Sequence, residues 1–189
     1  VLPSYVVMGD TTWIVEPGGI VYNAGQLLVD HLSVTNAEQH IIVDGTASDS
    51  PSDSLIVDLK GVEVSYILDL VGFTAVSFAG KATGKAFVTQ AFGQPNAWAN
   101  LRVDQFRFED GRIGTLNAQA QWNQLEKQID IHAIANDGPY AITYIDGFVS
   151  PVKENIDLAI KGRGTYVEFL HTYASSFLNG VTGHATGDP

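Results

Sequence analysis

The sequence contains no cysteine and only one methionine. Without a thiol, the chain has no disulfide framework, no thiol catalysis and no cysteine-ligated zinc. The missing cysteine does not fix the compartment, because extracytoplasmic proteins need not carry this residue. Glycine, by contrast, is abundant, with 19 residues. This composition favours short strands joined by tight turns over a helical bundle.

Basic residues are also scarce. Ten lysines and arginines stand against 21 acidic residues, which gives a formal net charge of −11. The sequence has no cluster of basic residues that could neutralise phosphates. We therefore expect no nucleic-acid partner and no attraction to anionic lipid headgroups.

Long hydrophobic runs are missing as well. The longest apolar-looking stretch, residues 64–79, is too short to span a bilayer and contains Asp69 and Gly72. The start of the chain does not have the pattern of a signal peptide. If the protein is anchored to a membrane, we expect the anchor to lie outside these residues.

The 189 residues, 45% of them hydrophobic, are enough for one domain or one elongated unit with a real core. Alternating apolar and polar residues between turn signals indicate strands throughout. In one example, Leu55, Val57 and Leu59 point one way and the residues between them the other. The predicted strands are residues 12–16, 20–22, 26–34, 40–47, 54–60, 76–90 (as one strand or two), 101–108, 113–122, 128–135 and 140–149.

A pattern of strand, turn and helix occurs twice, about 102 residues apart. Asp44-Gly45 returns as Asp146-Gly147, and the sequence around Lys60-Gly61 returns around Lys161-Gly162. Each copy continues into a helical pattern, over residues 62–71 and from Thr165 to residue 178, where T-x-x-E forms a capping box. We therefore predict one elongated repeat-containing fragment, residues 1–189, with approximate repeats 1–91 and 92–189, the second cut short.

The side chains that could carry chemistry do not form a site in the sequence. No two histidines have metal-ligand spacing, and His31 and His132 occupy predicted solvent-facing strand positions. Aspartates recur along the strands, and a carboxylate ladder could bind calcium or serve a glycosidase. We interpret them instead as the outward half of each strand, because no calcium-loop motif accompanies them. These aspartates are Asp30, Asp44, Asp58, Asp104, Asp130, Asp146 and Asp157. We expect no enzyme activity, metal or cofactor.

The predicted fold class is all-β with one short helix per repeat: a curled antiparallel sheet, taco-like or an open barrel, with an apolar interior. A sheet that curls without closing makes a trough that can hold acyl chains, and each buried methylene contributes about 0.8 kcal/mol. Alternation alone cannot distinguish such a trough from an ordinary closed core. By alternation, the groove-lining candidates are Leu55, Val57, Leu59, Val103, Ile129, Ile131, Ile156, Leu158 and Ile160.

Several segments resemble a known family in their order and spacing. They are Gly45-Thr46-Ala47-Ser48 with Pro51, residues 54–59, Phe78-Ala79-Gly80-Lys81-Ala82-Thr83-Gly84, residues 106–111, Val149-Ser150-Pro151, Ile156-Asp157-Leu158 and Glu168-Phe169-Leu170. Together they resemble the repeats of the TamB family (translocation and assembly module, AsmA-like superfamily) in its Bacteroidetes-like form. The resemblance covers nearly the whole chain.

The resemblance implies a long, taco-shaped structure in the periplasm, tethered to the inner membrane by a segment outside this fragment. It also implies a non-enzymatic role in outer-membrane biogenesis, protein secretion and lipid transport. The expected partners are phospholipid acyl chains or unfolded outer-membrane proteins, with an outer-membrane barrel partner of TamA type contacted outside this fragment. Two alternatives stay open: a carbohydrate-binding β-sandwich using exposed aromatic residues such as Trp13, Trp98 and Trp122, and a purely structural spacer.

Overall fold

A computed structural model describes residues 3–70, 76–109, 111–166 and 184–187. The strands are β1 Ser4–Met8, β2 Thr11–Val15, β3 Gly19–Asn23, β4 Gln26–Asn36, β5 Gln39–Ala47, β6 Ser54–Glu63, β7 Phe78–Thr89, β8 Asn96–Phe108, β9 Gly111–Asn123, β10 Gln128–Asn136, β11 Ile142–Ser150, β12 Asn155–Tyr166 and β13 His184–Gly187. The described helix, α1, is Val64–Leu70. None of the described helical residues forms a helix long and apolar enough to cross a bilayer.

All 13 strands belong to one antiparallel sheet that does not close into a barrel, which confirms the predicted fold class. The strands neighbour one another in sequence order, except that β2 and β3 both pair with β4. Residues 76–90, predicted as one strand or two, form the single strand β7. Strand β1 is not among the predicted strands. Most of its residues are exposed, so its sequence lacks the alternation that marks a half-buried strand.

The sheet has two chemically different faces. On the inner face, Leu59 lies opposite Ile41, and Val103 lies opposite Ala82 and Leu116. On the outer face, Asp58 lies opposite Lys85. Because direct cross-strand partners point to the same face, the alternation of side chains within one strand continues in its neighbours across the sheet.

Two clusters of buried side chains lie on the inner face. The Trp13 cluster centres on Trp13, Leu59 and Val62, and the Phe106 cluster contains Val103, Phe106 and Leu116 among others. Helix α1 lies between them, because Ile67 packs against both clusters. Tyr66 of α1 meets the Trp13 ring edge-on at 6.3 Å between centroids.

The two copies of the sequence repeat fold alike but with different registers. Strands β5, β6 and β7 correspond to β11, β12 and β13, and both β6 and β12 carry a bulge that includes a glycine with positive φ. Gly45 lies opposite Leu55, whereas Gly147 lies opposite Leu158. The sequence repeat would place Ile156 there, so the second hairpin is shifted by two residues. A two-residue shift keeps each side chain on its face, so the apolar pattern survives.

The helix predictions have different outcomes. Helix α1 falls within the first predicted helix, residues 62–71. Thr165, predicted as the N-cap of the second helix, instead belongs to β12, where its side chain is buried and lies 2.8 Å from the Thr143 hydroxyl. The rest of that predicted helix, residues 167–178, lies outside the described residues.

Candidate functional site

The inner face forms an open apolar groove that extends from α1 and β6 to β12. It has a volume of about 490 Å³ and extends across seven neighbouring strands, β6 to β12. At about 4.8 Å per strand, this corresponds to roughly 30 Å along the direction of the backbone hydrogen bonds. That is about twice the thickness of one leaflet's hydrocarbon layer.

One end of the groove is closed by aromatic rings and by the helix. Phe78 stacks on Phe106 at 5.9 Å and on Phe108 at 5.4 Å between ring centroids. Val64 and Ile67 of α1 line the groove beside these rings. Towards the opposite ends of the strands, Trp122 and Ile129 are only half-buried, so the groove is accessible from that side.

Small side chains form the floor of the groove. Ala86 lies opposite Ala99, and Ala99 lies opposite Ala120, so three neighbouring strands present a methyl group at the same level. Ala97 and Ala118 line the groove on either side of this row. Leucine or isoleucine at these positions would occupy the space, so the alanines are what leaves the groove empty of protein atoms.

The nine sequence-predicted residues fall into two groups. Six of them line the groove: Leu59, Val103, Ile129, Ile131, Leu158 and Ile160. The other three share the inner face but lie outside the groove lining. Val57 packs into the Trp13 cluster, Leu55 lies opposite Gly45 and Val88, and Ile156 lies opposite Val149.

The alternation of large aliphatic residues does not reveal the alanine floor or the aromatic end of the groove. Small residues at every second position of β7, β8 and β9 carry the same period. The signal was present in Ala97-x-Ala99 and in Ala118-x-Ala120. Small side chains contribute little to a hydrophobic pattern, so the pattern does not mark these positions.

The polar side chains pair with one another on the outer face. His132 Nδ1 lies 2.7 Å from Asp146, and His31 Nδ1 lies 3.4 Å from Asp44. Both histidines are exposed, as the sequence predicted. Asp58 lies 3.1 Å from Lys85 and 3.3 Å from His40, and the Lys85 hydrogen bond is the main cause that lowers the pKa of Asp58.

The groove and the acidic strand positions offer little to a metal or a polar ligand. Within the described ranges, no three acidic or histidine side chains come close enough to hold a metal ion. The three buried side-chain atoms without a hydrogen-bond partner there belong to Trp13, Gln39 and Asp137, none of which lines the groove. A ligand that fits this lining is therefore apolar along its length.

The aromatic residues proposed for sugar binding have different environments. Trp13 is completely buried, and Trp122 is half-buried with its indole nitrogen donating to Gln124 at 2.6 Å. Of the three tryptophans, only Trp98 is exposed, and it stacks on Phe87 at 5.4 Å. Exposure was therefore the wrong expectation for Trp13 and Trp122.

Comparison of the whole chain with protein-family models, with curated proteins and with solved structures found no match, so its function is inferred from the groove itself.

Proposed function

We propose that the chain is a non-enzymatic segment that shields lipid acyl chains in its apolar groove, as part of a TamB-like, periplasm-spanning protein that supports outer-membrane biogenesis. The observation that carries this proposal is the composition of the groove. Apart from Gln121, apolar side chains line it across seven strands, and among the described residues none of the buried polar atoms without a partner belongs to this lining.

The energetics favour such a ligand. Each methylene removed from water contributes about 0.8 kcal/mol, so ten methylenes contribute about 8 kcal/mol before the cost of ordering the chain. No directional contact is required. A phospholipid headgroup would stay outside the groove, because nothing in the lining compensates the desolvation of a phosphate.

The backbone of the groove distinguishes an acyl chain from an unfolded protein strand. Strands β5 to β12 each pair with a neighbour on both sides, so their backbone groups are already hydrogen-bonded. A polypeptide in the groove would bury amides without partners, at about 1–3 kcal/mol each. An acyl chain has no such groups. Sheltering of nascent outer-membrane protein strands is therefore the weaker form of the proposal.

The first test fills the groove. Ala120→Phe places a ring on the alanine floor, whereas Ala159→Phe places the same ring at an exposed position of β12. We expect Ala120→Phe to lower the binding of a fluorescent phospholipid at least tenfold, and Ala159→Phe to leave it unchanged. Crosslinking with a phospholipid that carries a photoreactive group near the acyl terminus should label groove residues such as Ile131.

The proposal fails if the unmodified protein takes up no phospholipid, or if both variants bind it equally well. Val57→Asp does not test the groove, because Val57 packs against the Trp13 cluster and does not line the groove. Leu158→Asp is suitable, because Leu158 lines the groove and is only half-buried. Preferential binding of an unfolded outer-membrane protein, with no lipid uptake, would favour the weaker form instead.

A further inference from the structure

The outer face carries a second concavity, which lies between β7 and β11 and has a volume of about 820 Å³. We call it the polar trough and define it by Asn100, Asn117, Gln119, His132, Asn136 and Tyr144. Four of these six side chains are amides, each with a donor and an acceptor. The polar trough therefore differs from the apolar groove in chemistry as well as in position.

The register explains why these side chains lie together. Asn100 lies opposite Gln119, and Gln119 lies opposite His132, so one row crosses three strands. In the adjacent row, Asn117 lies opposite Ile134 and Ile134 opposite Tyr144. Direct cross-strand partners have Cβ atoms about 5 Å apart, so the two rows form a continuous surface.

The charged side chains at this surface already have partners. Arg102 lies 2.9 Å from Asp104, and His132 lies 2.7 Å from Asp146. Among the residues that the structure describes, Asn100, Asn117 and Gln119 make no side-chain hydrogen bond to the protein. The trough therefore presents exposed neutral donors and acceptors, while its nearby charges are already paired.

Apolar surface lies directly beside the amides. The Tyr144 side chain is 48% exposed and that of its cross-strand partner Ile134 is 44% exposed. A ligand that fits needs many neutral donors and acceptors together with an apolar face that can lie on a ring. Hexopyranose rings combine these two properties in their hydroxyl groups and their C–H face.

We propose that the polar trough binds a neutral oligosaccharide. Asn100, Asn117 and Gln119 hydrogen-bond its hydroxyl groups, and a sugar ring lies against Tyr144. A nucleic acid does not fit, because Arg102, the permanent cation among the lining residues, is already paired with Asp104. An extended peptide does not fit either, because β7 to β11 have no free edge for strand pairing.

The test uses a panel of neutral hexasaccharides built from glucose, mannose or N-acetylglucosamine, with an oligogalacturonate as the anionic comparison. Binding is followed by NMR on the isotope-labelled protein. We expect at least one neutral sugar to bind with millimolar affinity or better and to shift the side-chain amide signals of Asn100, Asn117 and Gln119. We expect the oligogalacturonate to bind at least tenfold more weakly.

Two variants and two controls complete the design. The double variant Asn117→Ala/Gln119→Ala and the single variant Tyr144→Ala should each weaken binding at least tenfold. Gln94→Ala removes an exposed amide outside the trough and should have no effect. Ala120→Phe, which fills the apolar groove, should also bind the sugar normally, so failure of lipid binding and failure of sugar binding are distinguishable.

Three results would overturn the proposal. They are no binding of any neutral sugar at millimolar concentration, signal shifts centred away from the trough, and stronger binding of the anionic sugar. The NMR measurement uses the unmodified protein, so its outcome decides the matter even if a variant does not fold.

Discussion

At the residue scale, Asp58 is held by partners on both neighbouring strands. Its carboxylate lies 3.1 Å from Lys85 of β7 and 3.3 Å from His40 of β5. The hydrogen bond from Lys85 is the largest cause that lowers the pKa of Asp58 below its ordinary value of 3.8, and His40 adds to it. The side chain remains 36% exposed, so solvent screens the interaction and limits its effect on stability.

The lowered pKa gives a pH dependence of defined sign. Because Asp58 binds its proton less readily in the folded protein, it stabilises the fold above pH 3.8, and this contribution is lost as the pH falls through the folded pKa. We expect Lys85→Gln to raise the pKa of Asp58 towards 3.8 and to reduce the loss of stability on acidification. Carboxyl NMR titration measures the pKa, and urea unfolding at several pH values measures the stability.

Lys81→Gln is the matched control, since Lys81 is an exposed lysine on the same strand. Its removal should leave the Asp58 titration unchanged. An Asp58 pKa that is the same in Lys85→Gln and in the unmodified protein would show that the bond to Lys85 is not the cause.

A second residue-scale feature is the close approach of backbones at Gly84. Its φ of +149° is unfavourable for other residues, and an added Cβ would collide with the carbonyl oxygen of Asn100 on β8. We expect Gly84→Ala to lower the free energy of unfolding by about 2–4 kcal/mol, measured by chemical denaturation. Gly138 also has positive φ but faces open space, so Gly138→Ala should cost only about 1–2 kcal/mol. Equal losses would contradict the collision at Gly84.

At the element scale, α1 joins the two clusters of the inner face. Val64 and Ile67 pack against the Phe106 cluster, while Tyr66 and Ile67 pack against the Trp13 cluster. The Tyr66 hydroxyl also lies 3.2 Å from the Thr11 hydroxyl of β2. The helix has only seven residues, so its stability depends on these contacts rather than on its own backbone hydrogen bonds.

Removing the Ile67 side chain, which packs against both clusters, should therefore destabilise the protein. Ile67→Ala is expected to lower the free energy of unfolding by about 1–3 kcal/mol, because Ile67 is half-buried rather than fully enclosed. Ser65→Ala, at an exposed position of the same helix, should change it by less than about 0.5 kcal/mol. A loss in Ile67→Ala no larger than in Ser65→Ala would show that α1 does not join the clusters.

Most elements could be predicted from the sequence, because alternation is a local property of each strand. Leu55, Val57 and Leu59 do share a face, and α1 lies where helical spacing placed it. The space above the sheet could not be predicted in this way. It depends on small side chains that meet across three strands, at Ala86, Ala99 and Ala120. It also depends on the register of β12, where the sequence repeat alone predicts a pairing two residues away from the observed one.

At the scale of the whole molecule, stability should vary along the sheet. Strands β8 and β9 are long, carry buried inner-face residues and have partners on both sides, whereas β1 and β3 are short, exposed and paired on one side. We expect backbone amides of β8 and β9 to exchange with deuterium at least 100-fold more slowly than those of β1 and β3. Uniform protection across the four strands, measured by mass spectrometry, would contradict this gradient.

The order of the strands has a consequence for how the chain can reach this structure. No described strand is inserted between two strands that precede it in the sequence. A polypeptide that emerges from a ribosome or a membrane channel, amino terminus first, can therefore add each new strand to an edge that already exists, except β3, which pairs only with the following strand β4. Contacts of this kind span short stretches of chain, and they form quickly. The sheet can thus form while the chain emerges, and at each stage it is the most recently added strand that still lacks its next neighbour.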